Sequence, residues 1–232
     1  MMNIRFTTPI AATLASLLLP TAALATVVPF TENYTADASS WRDGSGAVSA
    51  SWTAAGGPDG SSYISTGGTF ENNLAGDTPI FARGHDTYGS SGLAFVGDWL
   101  SDGVAEFSAY VRHDAPAPLN YFVRFAKPSN FPAAIGVEFV PVFPNTWTRI
   151  DIAIDASNPE FVNFETSDFN TIFSGIGKLQ IGVTVPAGLA GSPLDYTFDF
   201  DQIAIVPEPS AALLVGVALL GAVGSRRSVR SA

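Results

Sequence analysis

The side chains able to do chemistry in this sequence are aromatic and polar rather than nucleophilic. The 232 residues contain no cysteine. The two histidines, His85 and His113, are each followed by aspartate and have no second ligand at metal-binding spacing. There is no Gly-x-Ser-x-Gly elbow, phosphate loop, dinucleotide fingerprint or His-Glu-x-x-His motif. What the chain offers instead is the combination that sugar recognition needs. Flat rings suit the apolar face of a pyranose, and amide, hydroxyl or charged groups suit its polar rim. Trp99, in Gly97-Asp98-Trp99-Leu100-Ser101-Asp102, sits between turn residues, and Tyr88 lies in a Gly/Ser/Asp-rich stretch. Tyr110, Arg112, Asn120 and Arg124 form one polar-aromatic patch if the two segments carrying them pair in a sheet. Trp41, Trp52 and Trp147 suit core or edge packing better than ligand stacking, while for Trp99 both readings stay open.

Strands must position these groups, because long helical periodicity is absent from 26–206. Alternation recurs instead: Phe107, Ala109 and Val111 share one face against Glu106, Ser108 and Tyr110. Leu119, Tyr121, Val123 and Phe125 repeat the pattern, as do Ile150, Ile152 and Ile154, and then Leu179, Ile181, Val183 and Val185. The last candidate strand, 196–206, changes phase between Phe198/Phe200 and Ile203/Ile205, which predicts a bulge or burial on both sides. Further strands are expected over 47–54, 61–66, 78–82 and 92–96, and one short helix over 166–174. Eight to ten short strands with turn-rich links predict an all-β fold, an antiparallel β-sandwich of jelly-roll type.

Charge narrows the partners. With 11 Lys+Arg against 21 Asp+Glu the chain carries −10, and 26–206 alone has seven cations and twenty acids. Nucleic acid is excluded as a partner, because phosphate neutralisation needs clustered cations. At 14% charged and 47% hydrophobic, the chain is too apolar for a disordered acidic segment.

The two ends read as addresses. Arg5, an apolar stretch over 10–19, Pro20 and then Ala23-Leu24-Ala25 make a secretory signal over 1–25, cleaved after Ala25. About ten apolar residues are too few to cross a bilayer core of about 30 Å. At the other end Val206-Pro207-Glu208-Pro209-Ser210 precedes an uncharged apolar run, 211–224, and then Arg226, Arg227 and Arg230. Fourteen residues at 1.5 Å each make a helix of roughly 21 Å, a short and weak membrane anchor with its basic end held on the cytoplasmic side. This tripartite end resembles the PEP-CTERM sorting signal of Gram-negative bacteria. The resemblance covers 206–230 and implies export through the general secretion machinery and transient anchoring in the inner membrane. It further implies processing by an exosortase near Pro207-Glu208-Pro209, and release to the cell surface or an exopolysaccharide-rich biofilm matrix. The expected division is a signal peptide over 1–25, a β-sandwich over 26–206 and a sorting signal over 207–232.

A second resemblance is spread through the middle. Phe30, Trp41 and Trp52, followed by Gly56-Gly57-Pro58-Asp59-Gly60-Ser61-Ser62-Tyr63-Ile64, resemble the opening of carbohydrate-binding-module and galactose-binding-like jelly rolls. Asn145-Thr146-Trp147-Thr148-Arg149-Ile150-Asp151-Ile152 is similar to a late strand of that group, and Asp199-Phe200-Asp201-Gln202-Ile203-Ala204-Ile205 to its closing strand. The resemblance implies one structural calcium between the first strand, the early loop and the last strand, with Glu32, Asp59 and Asp201 as ligands. Asp59 also suits the plain role of a Pro-Asp-Gly turn residue, and Asp201 that of a solvent-facing strand residue. The functional expectation is a non-catalytic module binding extracellular polysaccharide. The rival is a passive structural component of the matrix, and a matrix hydrolase stands third.

Overall fold

The computed structural model describes residues 26–207. Ala23 and Ala25 of the signal reading, and Glu208, Pro209, the apolar run, Arg226 and Arg227 of the sorting reading, lie outside the described residues. Two six-stranded antiparallel sheets face each other. Sheet 1 contains β1 (Phe30–Glu32), β3 (Ser51–Thr53), β4 (Tyr63–Gly68), β6 (Val104–His113), β9 (Thr148–Ala153) and β12 (Tyr196–Pro207). Its order is β3-β4-β12-β6-β9, with β1 continuing along β12. Sheet 2 contains β2 (Arg42–Asp43), β5 (Ile80–His85), β7 (Asn120–Ala126), β8 (Ala133–Val137), β10 (Phe161–Asn163) and β11 (Lys178–Thr184), in the order β10-β8-β7-β11-β5-β2. One short helix, α1 (Phe169–Phe173), is capped by Asp168, whose carboxylate accepts the Thr171 N–H. Among the described residues no helix is long and apolar enough to cross a membrane.

The period-two pattern places one face of each sheet in the core. Phe107, Val111, Ile150, Ile152, Phe198 and Phe200 from sheet 1 meet Phe81, Tyr121, Val123, Phe125, Leu179 and Ile181 from sheet 2. Phe81 and Phe198 stack across the interface with ring centroids 3.7 Å apart. Glycine at 84 is a packing requirement: a Cβ there would stand 2.6 Å from the Trp41 ring, which lies flat on β5. The expected phase change in the last strand is a bulge between Asp201 and Ala204, with Gln202 in the left-handed region at φ 47°.

Two expectations fail. Residues 92–96 form no strand, because Ser91, Gly92 and Leu93 all have positive φ and close a tight turn instead. More consequentially, β6 and β7 do not pair. The link between them, with prolines at 116 and 118, crosses from sheet 1 to sheet 2, anchored by Asp114, which binds the Thr197 N–H, and by Leu119, which bridges to Val142. The single patch of Tyr110, Arg112, Asn120 and Arg124 is therefore split between opposite faces of the sandwich.

Candidate functional site

The outer face of sheet 1 carries the residues that alternation turns away from the core. In register across β4, β12 and β6 lie Ser65, Asp199 and Arg112, and one row along, Asp201 and Tyr110 followed by Arg149 on β9. Asp199 is the hinge of the first row: Ser65 Oγ donates to its Oδ1 at 2.5 Å and Arg112 Nε to its Oδ2 at 2.8 Å. The Arg112 guanidinium lies 4.6 Å from the Trp147 ring centroid and 5.1 Å from that of Tyr63, and the two rings meet edge to face at 5.5 Å. Trp147 is fixed in turn by its indole N–H on the Gly56 carbonyl at 2.9 Å. Partial burial opposes the Arg112 charge, and Asp199 and Tyr63 together outweigh it, so the Arg112 pKa is pushed up. Beside this cluster opens a hollow of about 360 Å³ lined by Tyr63, Ser65, Arg112, Asp114, Asn145 and Thr197, with His113 and Asp199 at its floor. A second hollow of about 300 Å³ runs on from it, sharing Ser65 and Thr197.

Of the expected binding residues, Arg112 lines this hollow and Tyr110 stands on the same face, two residues down β6. The others do not join them. Trp99 is fully buried, packed on Phe125 and Phe173, with its indole N–H on the Phe95 carbonyl at 2.9 Å, so it is core. Tyr88 has both faces covered, by His85 at 4.8 Å and by the Arg42 guanidinium at 4.0 Å, so neither can receive a sugar ring. Asn120 and Arg124 lie on sheet 2. Asn120 spends its amide on the carbonyls of Glu138 and Phe139, and Arg124 binds Glu165 through two nitrogens as well as Asn130 and Gln180. Tyr63, Trp147, Asp199 and Ser65 were not anticipated as site residues. Alternation carried the signal, since Ile64 inward places Tyr63 and Ser65 outward, and Phe198 and Phe200 do the same for Asp199.

The charges of two expected calcium ligands, Glu32 and Asp59, reach the third, Asp201, on β12, where the 56–62 loop meets the bulge. Asp201 is completely buried; its Oδ2 accepts Ser61 Oγ at 2.5 Å and its Oδ1 the Gln202 N–H at 2.7 Å. It is thus no solvent-facing strand residue. Glu32 accepts the Tyr34 N–H at 2.9 Å, and exposed Asp59 accepts the Ser61 N–H at 3.1 Å, as a turn aspartate does. Burial raises the Asp201 pKa, Ser61 and the Gln202 N–H oppose the rise, and the charges of Asp59 and Glu32 add to it. The Tyr34 hydroxyl, fully buried beside Glu32 and Asp201, has no hydrogen-bond partner. Gathered negative charge and an orphaned hydroxyl fit a hard cation. Even so, no three His, Cys, Asp or Glu side chains converge on one metal position among the described residues.

Compared with protein-family models and with curated protein sequences, the chain matches none. Solved structures show likenesses of low identity. A CBM22-1-GH10 fragment of endo-1,4-β-D-xylanase 10B from Clostridium thermocellum, complexed with xylohexaose, has a TM-score of 0.47 at 14% identity, covering 77% of this chain and 28% of that one. An exo-β-agarase has a TM-score of 0.48 at 11% identity, covering 79% and 25%. The family 11 carbohydrate-binding module of a Clostridium thermocellum cellulosomal cellulase has a TM-score of 0.44 at 11% identity, covering 79% and 96%. This chain thus spans about a quarter of the length of the first two.

Proposed function

We propose that this protein is an exported, non-catalytic glycan-binding protein whose binding site is the hollow on the outer face of sheet 1. One observation carries the reading: a half-buried aromatic pair, Tyr63 and Trp147, stands beside an open hollow whose other walls are hydroxyl, amide and ion-pair groups. That is the mixture a pyranose requires, apolar on its faces and polar around its rim. Both carboxylate oxygens of Asp199 are held by Ser65 and Arg112, an arrangement that orients hydroxyls rather than shuttling protons.

The test is affinity electrophoresis of the full chain through gels containing different polysaccharides, with calcium or with chelator. Tyr63→Ala and Arg112→Ala are each expected to weaken retardation by roughly ten- to a hundredfold, the cost of a stacking ring or a charge-assisted hydrogen bond. Equal mobility of the wild type in every gel would sink the reading and leave the passive matrix role. The calcium expectation belongs to the same experiment. Glu32 and Asp201 would hold the ion, with neutral oxygens of the 57–61 loop completing its shell, and the ion would supply the positive charge that the buried Asp201 lacks. Chelator is then expected to lower the thermal midpoint of the wild type and to leave that of Asp201→Asn unchanged; equal responses would remove calcium from the account.

Export and exosortase processing rest on the sequence pattern of 1–25 and 207–232. Mass spectrometry of the protein recovered from the cell surface is expected to find a chain beginning at Thr26 and ending near Pro207-Glu208-Pro209. An intact C-terminal basic cluster on the mature protein would contradict it.

A further inference from the structure

Five of the seven cations in 26–206 lie on sheet 2 or at its strand ends: Arg42, Arg83, Arg124, Lys127 and Lys178. Two of them are placed against ordinary charge logic. Arg42 on β2 and Arg83 on β5 are direct cross-strand partners, and like charges in that relation destabilise a sheet. Among the described residues Arg112, Arg124, Arg149 and Lys178 each have a carboxylate at ion-pair distance, whereas Arg42 and Arg83 have none. Asp43, the acid next along β2, commits its carboxylate to Ser45 Oγ and the Val48 N–H. Beyond Gln180 in the same row stands Arg124, occupied by Glu165.

The two guanidinium groups are nevertheless held in place. Arg42 Nη1 donates to the Gly46 carbonyl at 3.1 Å, and Arg83 Nε donates to the Gly44 carbonyl at 2.6 Å, so a single turn clamps both. The Arg42 guanidinium rests on Tyr88, which rests on His85, which accepts a hydrogen bond from Gln180. Each arginine keeps N–H donors that no protein group takes up among the described residues. Burial above all holds the Arg83 pKa below its ordinary value, with Tyr88 and Asp43 opposing and Arg124 adding to the effect. An uncompensated, pre-oriented pair of planar forks is an arrangement for oxyanions, which guanidinium binds bidentately.

We propose that Arg42 and Arg83 form an anion-binding site on sheet 2 that takes the carboxylate of a uronic-acid unit in an otherwise largely neutral glycan. A densely charged polyanion would meet the repulsion of twenty acids, whereas an isolated carboxylate meets only the local pair, since screening confines charge interactions to about 8 Å at physiological salt. The site stands without the sheet 1 hollow; the saccharide as carrier rests on the glycan-binding reading.

Isothermal titration of the full chain with a neutral glucose tetrasaccharide carrying a single glucuronate, its methyl ester, a glycine peptide containing one aspartate and inorganic sulfate tests both parts. The singly charged glucuronate oligosaccharide is expected to bind, the other three to bind at least about tenfold more weakly, and Arg83→Gln and Arg42→Gln to weaken the acid by about ten- to a hundredfold. Arg83→Lys keeps the charge and loses the fork, and is expected to recover only a minor part. The preference for acid over ester reads the arginine pair and gel retardation by neutral polysaccharide reads the sheet 1 hollow, so either reading can fail alone. Equal binding of ester and acid, or full affinity in Arg83→Gln and Arg42→Gln, would overturn the site. Equal binding of the aspartate peptide or of sulfate would overturn the saccharide. Should Arg83→Gln fail to fold, Arg42→Gln and Arg83→Lys decide.

Discussion

Replacing Trp99 by alanine is expected to cost about 3–5 kcal/mol of stability, the range for deleting a fully buried large aromatic, and so to lower the melting temperature by about 10 °C. The side chain is completely inaccessible and packs against Phe125 and Phe173, which in turn contact Phe161. Truncation opens a cavity between sheet 2 and α1 and leaves the Phe95 carbonyl without its indole donor. Binding measured on this variant would fall for a reason unrelated to ligand contact. Trp147→Ala is the informative contrast: its ring is half-buried on the outer face, its removal leaves no internal cavity, and it is expected to shift stability by no more than about 1 kcal/mol while weakening retention on glycan gels. Urea unfolding of the two variants side by side checks the pair. A Trp99→Ala protein as stable as Trp147→Ala would mean that residue 99 does not sit in the core.

The contrast shows what could be read in the sequence and what could not. Alternation located β6, β7, β9, β11 and β12 to within a residue or two, because one face of each is buried and the period of two leaves no other register. Short strands such as β2, with two residues, and β10, with three, carry too little pattern to be seen, although β2 brings Arg42 beside Arg83. Trp99 misled because its flanking Gly97-Asp98 and Ser101-Asp102 are turn residues. The turn is real, with Asp98 accepting the N–H groups of Leu100 and Ser101, but it folds the ring inward. Arg112 and Tyr110 could be found because they lie on a long strand whose outward face is explicit. Asn120 and Arg124 were assigned to their strand correctly and to the wrong neighbours, because strand pairing across a crossing connection is a tertiary property. Burial of Asp201 was likewise hidden: it depends on the 56–62 loop folding over a bulge 140 residues away.

The second large effect is expected on acidification. His85 is buried and held neutral, its pKa lowered from 6.5 to about 4, chiefly by burial and then by Lys178 and Arg83, with Asp86 opposing and Arg124 adding. The hydrogen bonds require the same protonation state. Arg124 Nη1 donates to Gln180 Oε1 at 2.9 Å, which fixes the amide so that its nitrogen faces His85 Nε2 at 3.0 Å and Asn130 Oδ1 at 2.8 Å. A proton on that imidazole nitrogen would meet an N–H donor. In the unfolded chain His85 titrates at its ordinary 6.5, so the unfolded state binds the proton more tightly. The stabilisation is therefore complete above pH 6.5 and is lost as pH falls through the folded value near 4. A difference of between two and three pKa units amounts to about 3 kcal/mol. His113, also lowered by burial, acts in the same direction, whereas Asp201 and Asp151, with raised values, act in the opposite one. The difference between wild type and His85→Asn isolates the one group: denaturant midpoints followed from pH 7 to pH 4 are expected to converge as the wild type loses an advantage that the variant never had. A constant gap across that range would mean that His85 is protonated in the folded protein, and the Arg124–Gln180–His85 chain would then have to be oriented the other way.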